Sequence, residues 1–161
     1  MMKTTNKFYL AYGSNLNLEQ MAYRCPTAKV VGASEIKDYK LLFRGAHEGA
    51  VATIEPHKGN TVPVLVWNIK PGDEAALDRY EGFPFLYRKE WLNINLNGEN
   101  ISAMAYIMNA ENPVGCHRML GQPSAYYYST ILAGYKDAGF DIEVLRQATI
   151  DSAITEEKAD E

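Results

Sequence analysis

FYLAYGSNL, residues 8–16, is a short apolar run that breaks on Gly-Ser-Asn and resumes as a helix-like stretch. Phe8 to Tyr12 are aromatic or aliphatic without alternation, the pattern of a strand buried on both faces. Gly13-Ser14-Asn15 then places three consecutive backbone N–H groups in a turn that leads into a helix N-terminus. Such a turn forms a concavity for an anion or a polarised oxygen, and glycine at its start permits close approach and positive φ. Leu18, Met21 and Ala22 follow at helical spacing, so a short helix is expected over residues 16–24, ended by Pro26. By itself the tripeptide reads first as an ordinary strand-end turn.

Outward from this stretch the chain alternates between strands and helices. Segments 28–33, 39–43, 50–54 and 61–69 are rich in Val, Ile, Leu or aromatics and are separated by Gly, Pro, Asn or Asp, which predicts four strands with turns near Gly49 and Gly59-Asn60. Pro71-Gly72-Asp73-Glu74 starts a helix with acidic residues in its first turn, ending at Gly82. Segments 87–96 and 101–108 flank Asn97-Gly98, a strong hairpin signal. Ser124 is a candidate N-cap for a helix carrying Tyr127, Ile131, Leu132 and Tyr135 and stopping at Gly139, and a last helix begins near Asp141. One α+β domain over 1–152 is expected, with a disordered acidic tail at 153–161. So many strands in so short a chain favour a small closed or half-closed barrel, which removes exposed edges.

Bulk properties narrow the function. A chain of 161 residues buries roughly 70% of its extended surface and needs no staples. A net charge of −4 argues against a phosphate-binding surface, so no nucleic-acid partner is expected. Cys25 and Cys116 form no CxxC and no Cys/His cluster with metal spacing, and two free thiols are expected. The N-terminal apolar run is too short for a signal peptide, and no segment reaches the roughly 18 apolar residues of a membrane span. The expectation is a cytoplasmic protein with no membrane partner.

Glu81 is the candidate for chemistry. It falls at the partly negative end of the Pro71 helix, among Tyr80, Phe83, Phe85 and Tyr87. Apolar surroundings and the helix dipole both disfavour ionisation and raise its pKa, which suits a general acid or base near neutral pH. Tyr126, Tyr127 and Tyr128 are consecutive on a helix, so they face different ways and at least one is exposed. His47, His57 and His117 have no Ser or Cys companion at a nucleophile-elbow or protease spacing.

Three segments in order, YGSNL at 12–16, LDRYEG at 77–82 with Tyr87 shortly after, and PSAYYYSTILAGYKDAGF at 123–140, resemble the γ-glutamylcyclotransferase family over residues 8 to about 150. The combination of YGSNL with a downstream Glu-Gly carries most of the specificity. The resemblance implies a small mixed β-barrel flanked by helices. It also implies cleavage of a γ-glutamyl amide by the substrate's own α-amine, releasing 5-oxoproline and a free amine or amino acid. The partner implied is thus a small-molecule γ-glutamyl substrate, in a monomer or a homodimer. An internal nucleophile leaves the protein to supply a base, a folded-over geometry and an oxyanion site, with no metal and no cofactor.

By the same resemblance, Glu81 occupies the catalytic glutamate position, Tyr12, Gly13, Ser14, Asn15 and Leu16 form the loop holding the γ-glutamyl group, and Tyr87 and Tyr127 line the pocket. Preorganised amides contribute about 3 to 4 kcal/mol each to stabilising an oxyanion. The alternative reading is a non-catalytic binding or sensing protein that keeps the same cleft, against which stands the desolvation cost of burying Glu81.

Overall fold

A computed structural model describes residues 6–46, 48–109 and 117–153. His47, Cys116 and all but the first residue of the expected 153–161 tail lie outside them. A five-stranded sheet has β1 (Lys7–Ala11) at its centre, paired antiparallel with β3 (Val51–Ile69) and parallel with β5 (Glu99–Met108). β2 (Lys29–Arg44) lies outside β3, and β4 (Tyr87–Leu96) lies outside β5. Tyr9, Leu10 and Ala11 are buried, as the unalternating apolar run requires of a central strand.

The four strands expected between residues 28 and 69 are two long ones of 16 and 19 residues. β2 and β3 form one continuous hairpin whose register slips between Lys37 and Tyr39, so that residues 57–60 of β3 stand opposite Asp38. Asp38 takes a left-handed φ of 63° and accepts a hydrogen bond from Gly59 N at 3.0 Å. Gly59-Asn60 therefore marks a bulge within a strand, and Gly49 belongs to the hairpin's real end.

The sheet curls without closing. Its edge strands β2 and β4 share no ladder, but Ser34 Oγ donates to Asn95 O across the gap. A Cβ at Gly32 would stand 2.8 Å from Leu96 Cδ1, so the edges are in contact there. The expected small mixed barrel is thus a half-closed one, with helices packed around it. Leu10, Phe43, Ile54, Leu77, Met104 and Ile131 are among the side chains that fill its core.

The helices start and stop on the predicted residues, with one exception. α2 (Pro71–Glu81) ends at Gly82 with φ 64°, α3 (Ala125–Ala138) is capped by Ser124 Oγ on Tyr127 N at 3.1 Å, and α4 (Ile142–Asp151) is capped by Asp141. The exception is the helix expected from residue 16. Ser14–Leu16 form a separate 3-10 turn, and α1 (Leu18–Arg24) begins only after Asn17, whose side chain accepts from Gln20 N at 3.0 Å. α3 presses onto this turn so closely that a Cβ at Gly134 would meet Leu16 Cβ at 2.6 Å and its carbonyl carbon at 2.7 Å. Among the described residues no helix is long and apolar enough to cross a membrane.

Candidate active site

A cavity of about 270 Å³ opens where β1 runs out into the Gly13-Ser14-Asn15 turn. Its walls come from that turn, from the first residues of β3, from the end of α2, and from Tyr87, Tyr106 and Tyr127. Tyr12, Gly13, Ser14, Asn15, Glu81, Tyr87 and Tyr127 all line it. Leu16 does not: it is fully buried beneath Gly134 and anchors the turn from behind.

Local sequence explains how Glu81 reaches the cavity. Gly82 takes the left-handed conformation that stops α2, and Phe83 N bonds back to Asp78 O at 2.9 Å. Phe85 N and Leu86 N then both bond to Gly82 O at 2.9 Å, turning the chain at once into β4. Glu81, the last residue of α2, and Tyr87, the first of β4, are thereby both brought to the cavity. Farther down α2, Lys89 binds Glu74 at 2.7 Å and Asp78 at 2.9 Å, and Tyr106 Oη donates to Asp78 Oδ1 at 2.6 Å. Those carboxylates are engaged. Glu81 accepts no hydrogen bond and forms no ion pair among the described residues, and burial pushes its pKa up to about 7, opposed by the Arg24 charge.

The turn has the complementary character. The N–H groups of Gly13, Ser14 and Asn15 make no hydrogen bond to the described residues, because the 3-10 turn bonds only Leu16 N to Gly13 O and Asn17 N to Ser14 O. Gly13 is needed for close approach and not for positive φ: its φ is −121°, and a Cβ would come within 3.2 Å of Ala52 Cβ. The turn's side chains act as braces. Ser14 Oγ bonds Tyr80 Oη at 2.8 Å, while Asn15 donates to Tyr9 Oη at 2.8 Å and accepts from Arg24.

Four of the six tyrosines that line the cavity divide into two pairs by what their hydroxyls bond. Tyr12 donates to Tyr106 O at 2.5 Å and Tyr87 donates to Ala52 O at 2.6 Å, so both have spent their protons on backbone carbonyls. Tyr9 accepts from Asn15 and Tyr127 accepts from Ala52 N at 3.0 Å, which leaves each phenol proton for another acceptor. Burial holds all four pKa values well above the ordinary phenol value, so they stay protonated.

Sequence reasoning passed over Tyr9, Tyr106 and Arg24 and noted Tyr80 only as an aromatic neighbour. A signal existed for the first two, since a tyrosine inside an apolar strand must satisfy its hydroxyl. Of the triple tyrosine on α3, Tyr126 is exposed and Tyr127 alone reaches the cavity.

Comparison with known proteins fits this geometry. The model of the family described as gamma-glutamyl cyclotransferase, AIG2-like, matches residues 9–127. The chain is 28% identical to a bovine protein named gamma-glutamylcyclotransferase over 144 residues, covering 84% of this chain and 73% of that one. It is 29% identical to the human protein of the same name over 145 residues, with the same coverage. A solved structure named gamma-glutamyl cyclotransferase superposes with a TM-score of 0.76 at 25% identity, covering 97% of both chains. With the matched segment running from the central strand through the turn and Glu81 to Tyr127, the chain belongs to the gamma-glutamyl cyclotransferase, AIG2-like family.

Proposed function

We propose that the protein converts a γ-glutamyl amide to 5-oxoproline and a free amine or amino acid, with Glu81 as general base and then general acid. The observation that carries this reading is an unbonded carboxylate with a pKa of about 7 sharing one small cavity with three unbonded backbone amides. At neutral pH half of such a carboxylate is ionised and ready to accept a proton, and the other half is ready to give one.

The reaction needs both functions in turn. Ionised Glu81 takes a proton from the substrate's α-ammonium, whose pKa lies near roughly 8. The freed amine attacks the γ-carbonyl carbon, a carbon–nitrogen bond forms, and negative charge collects on the carbonyl oxygen. The original γ-amide carbon–nitrogen bond then breaks as Glu81 returns its proton to the departing amine. The second proton of the attacking nitrogen passes to that freed amine, which leaves as an ammonium beside the neutral lactam. No external water enters the balance. The Gly13, Ser14 and Asn15 amides are the donors on hand for the substrate's α-carboxylate or for the oxyanion. Tyr127, with its proton uncommitted, is a further donor at the same wall.

Size supports a partition of the substrate. A cavity of about 270 Å³ sits just below the range of roughly 300 to 1,000 Å³ typical of sites that enclose a drug-sized ligand. It suits a folded γ-glutamyl group, with the amine half leaving through the mouth. The test is 5-oxoproline release from a panel of γ-glutamyl amines and γ-glutamyl amino acids, run with wild type and Glu81→Gln together. Turnover by wild type and its loss in the variant is the expected result. Thermal stabilisation by a panel member without any turnover would replace this reading with that of a binding protein.

A further inference from the structure

Resting on the cyclotransferase reading, we propose that Arg24 is a positioning residue that staples the amide turn to the helix end carrying Glu81. Arg24 does not line the cavity, yet two of its contacts land on residues that do. Its Nη1 donates to Asn15 Oδ1, and its guanidinium carbon lies 3.4 Å from the centroid of the Tyr80 ring. Tyr80 in turn bonds Ser14 at 2.8 Å. The contacts close a ring: Arg24 to Asn15, along the backbone to Ser14, across to Tyr80, and back to Arg24.

Each arm of that ring has a distinct job. Asn15 is gripped on both sides, by Arg24 at its oxygen and by Tyr9 at its nitrogen, so the orientation of the turn is set relative to β1. Tyr80 immediately precedes Glu81, so the stack sets the turn relative to the base. The ring spans three elements that the sheet ladder does not connect, namely α1, the 3-10 turn and α2. A lysine cannot replace it, because one ammonium cannot lie flat over a ring and also present a planar fork to an amide oxygen.

Arg24 also supplies charge. The titratable groups that line the cavity with Glu81 are Tyr9 and Tyr12 from β1 and its exit, Tyr80 from its own helix, Tyr87 from β4, Tyr106 from β5 and Tyr127 from α3. All six are phenols. The Arg24 cation favours the Glu81 carboxylate against burial. A brace that served only the helix would use the Arg24 contact with Gln20 Oε1 at 3.3 Å, one turn back on α1, and would leave Glu81 and the turn unaffected.

The experiment compares wild type, Arg24→Gln, Arg24→Lys and Tyr80→Phe, with Glu81→Gln for assignment. Three readouts are taken: the Glu81 side-chain carboxyl titration by carbon-13 NMR, amide hydrogen exchange of residues 13–17, and 5-oxoproline kinetics. Arg24→Gln should move the Glu81 midpoint upward by about one pH unit, speed exchange in the turn about tenfold and lower kcat at least tenfold. Arg24→Lys should restore the midpoint while leaving exchange fast and kcat low. Tyr80→Phe cuts only the Ser14 arm, so it should speed exchange at the turn without moving the midpoint, and it answers the question if Arg24→Gln does not fold. An unmoved midpoint together with unchanged exchange in the folded variants would overturn the proposal. Wild type that releases no 5-oxoproline while midpoint and exchange still respond would refute the reaction and leave the staple standing.

Discussion

Helix α2 carries a carboxylate in its first turn and another at its last residue, and the two have opposite surroundings. Asp73, in the first turn, is buried and saturated: Thr27 Oγ1 lies 2.7 Å from both of its oxygens, and Lys70 N donates to it at 2.9 Å. Glu81, at the last position, has no donor at all among the described residues and carries a pKa near 7. One carboxylate has exchanged water for protein donors and closes the helix start. The other is half-buried and faces a cavity. A buried charge left without partners costs stability, and chains retain such groups where the group has work to do.

The sharpest way to break the contrast is Glu81→Gln. Activity should fall roughly 10²- to 10⁴-fold, the usual worth of a positioned acid–base group, as measured by 5-oxoproline release. Stability should move the other way. The folded-state pKa of Glu81 lies above its ordinary 4.5, so the folded state binds the proton more tightly than the unfolded chain does. Its cost is therefore absent below pH 4.5, grows as pH rises, and is complete above about 7, at a ceiling of roughly 3 kcal/mol. Chemical denaturation at pH 8 should find Glu81→Gln more stable than wild type, and at pH 4 equal to it.

Asp73→Ala is the mirror experiment. It strands the Thr27 hydroxyl and the Lys70 N–H, and should cost about 2 to 3 kcal/mol in urea denaturation while the folded fraction keeps its kcat. Gly134→Ala tests how the amides are held. Although alanine favours a helix interior, its Cβ would meet Leu16 at 2.6 Å, so a net loss of about 1 to 2 kcal/mol with a raised KM is expected from denaturation and steady-state kinetics.

The smallest effects separate Tyr87 from Tyr127, which hold the same residue, Ala52, at its carbonyl and at its amide. Phenylalanine at either position should cost about 1 kcal/mol of stability. Only Tyr127→Phe removes a phenol proton free to reach substrate, so it alone should also lower kcat/KM, by about tenfold.

These contrasts show what was legible in the chain and what was not. Local signals carried the central strand, the Asn97-Gly98 hairpin and the helix boundaries, because caps and turns depend on a few adjacent residues. The long β2–β3 hairpin looks like four strands in sequence because Gly59, Asn60 and Pro56 resemble terminators, whereas a bulge opposite Asp38 absorbs them inside one ladder. At the site, the turn and Glu81 stand out in sequence as a Gly-Ser-Asn break and a carboxylate before Gly82. Leu16 adjoins the turn in sequence, yet the 3-10 geometry rotates it into the core. Arg24 was illegible for a different reason. A basic residue at a helix end already has an ordinary explanation in the dipole, and its contacts to Asn15 and Tyr80 exist only once three elements are packed.

The central claim, that the unpartnered end of α2 is the proton shuttle, meets its most direct test in the pH dependence of kcat/KM for wild type on a turned-over γ-glutamyl substrate. An acid limb with its midpoint at about 7 is predicted, activity falling below it as Glu81 gains the proton it must be free to accept. A profile that stays level from pH 8 down to pH 5, or that falls only near 4.5, would contradict it.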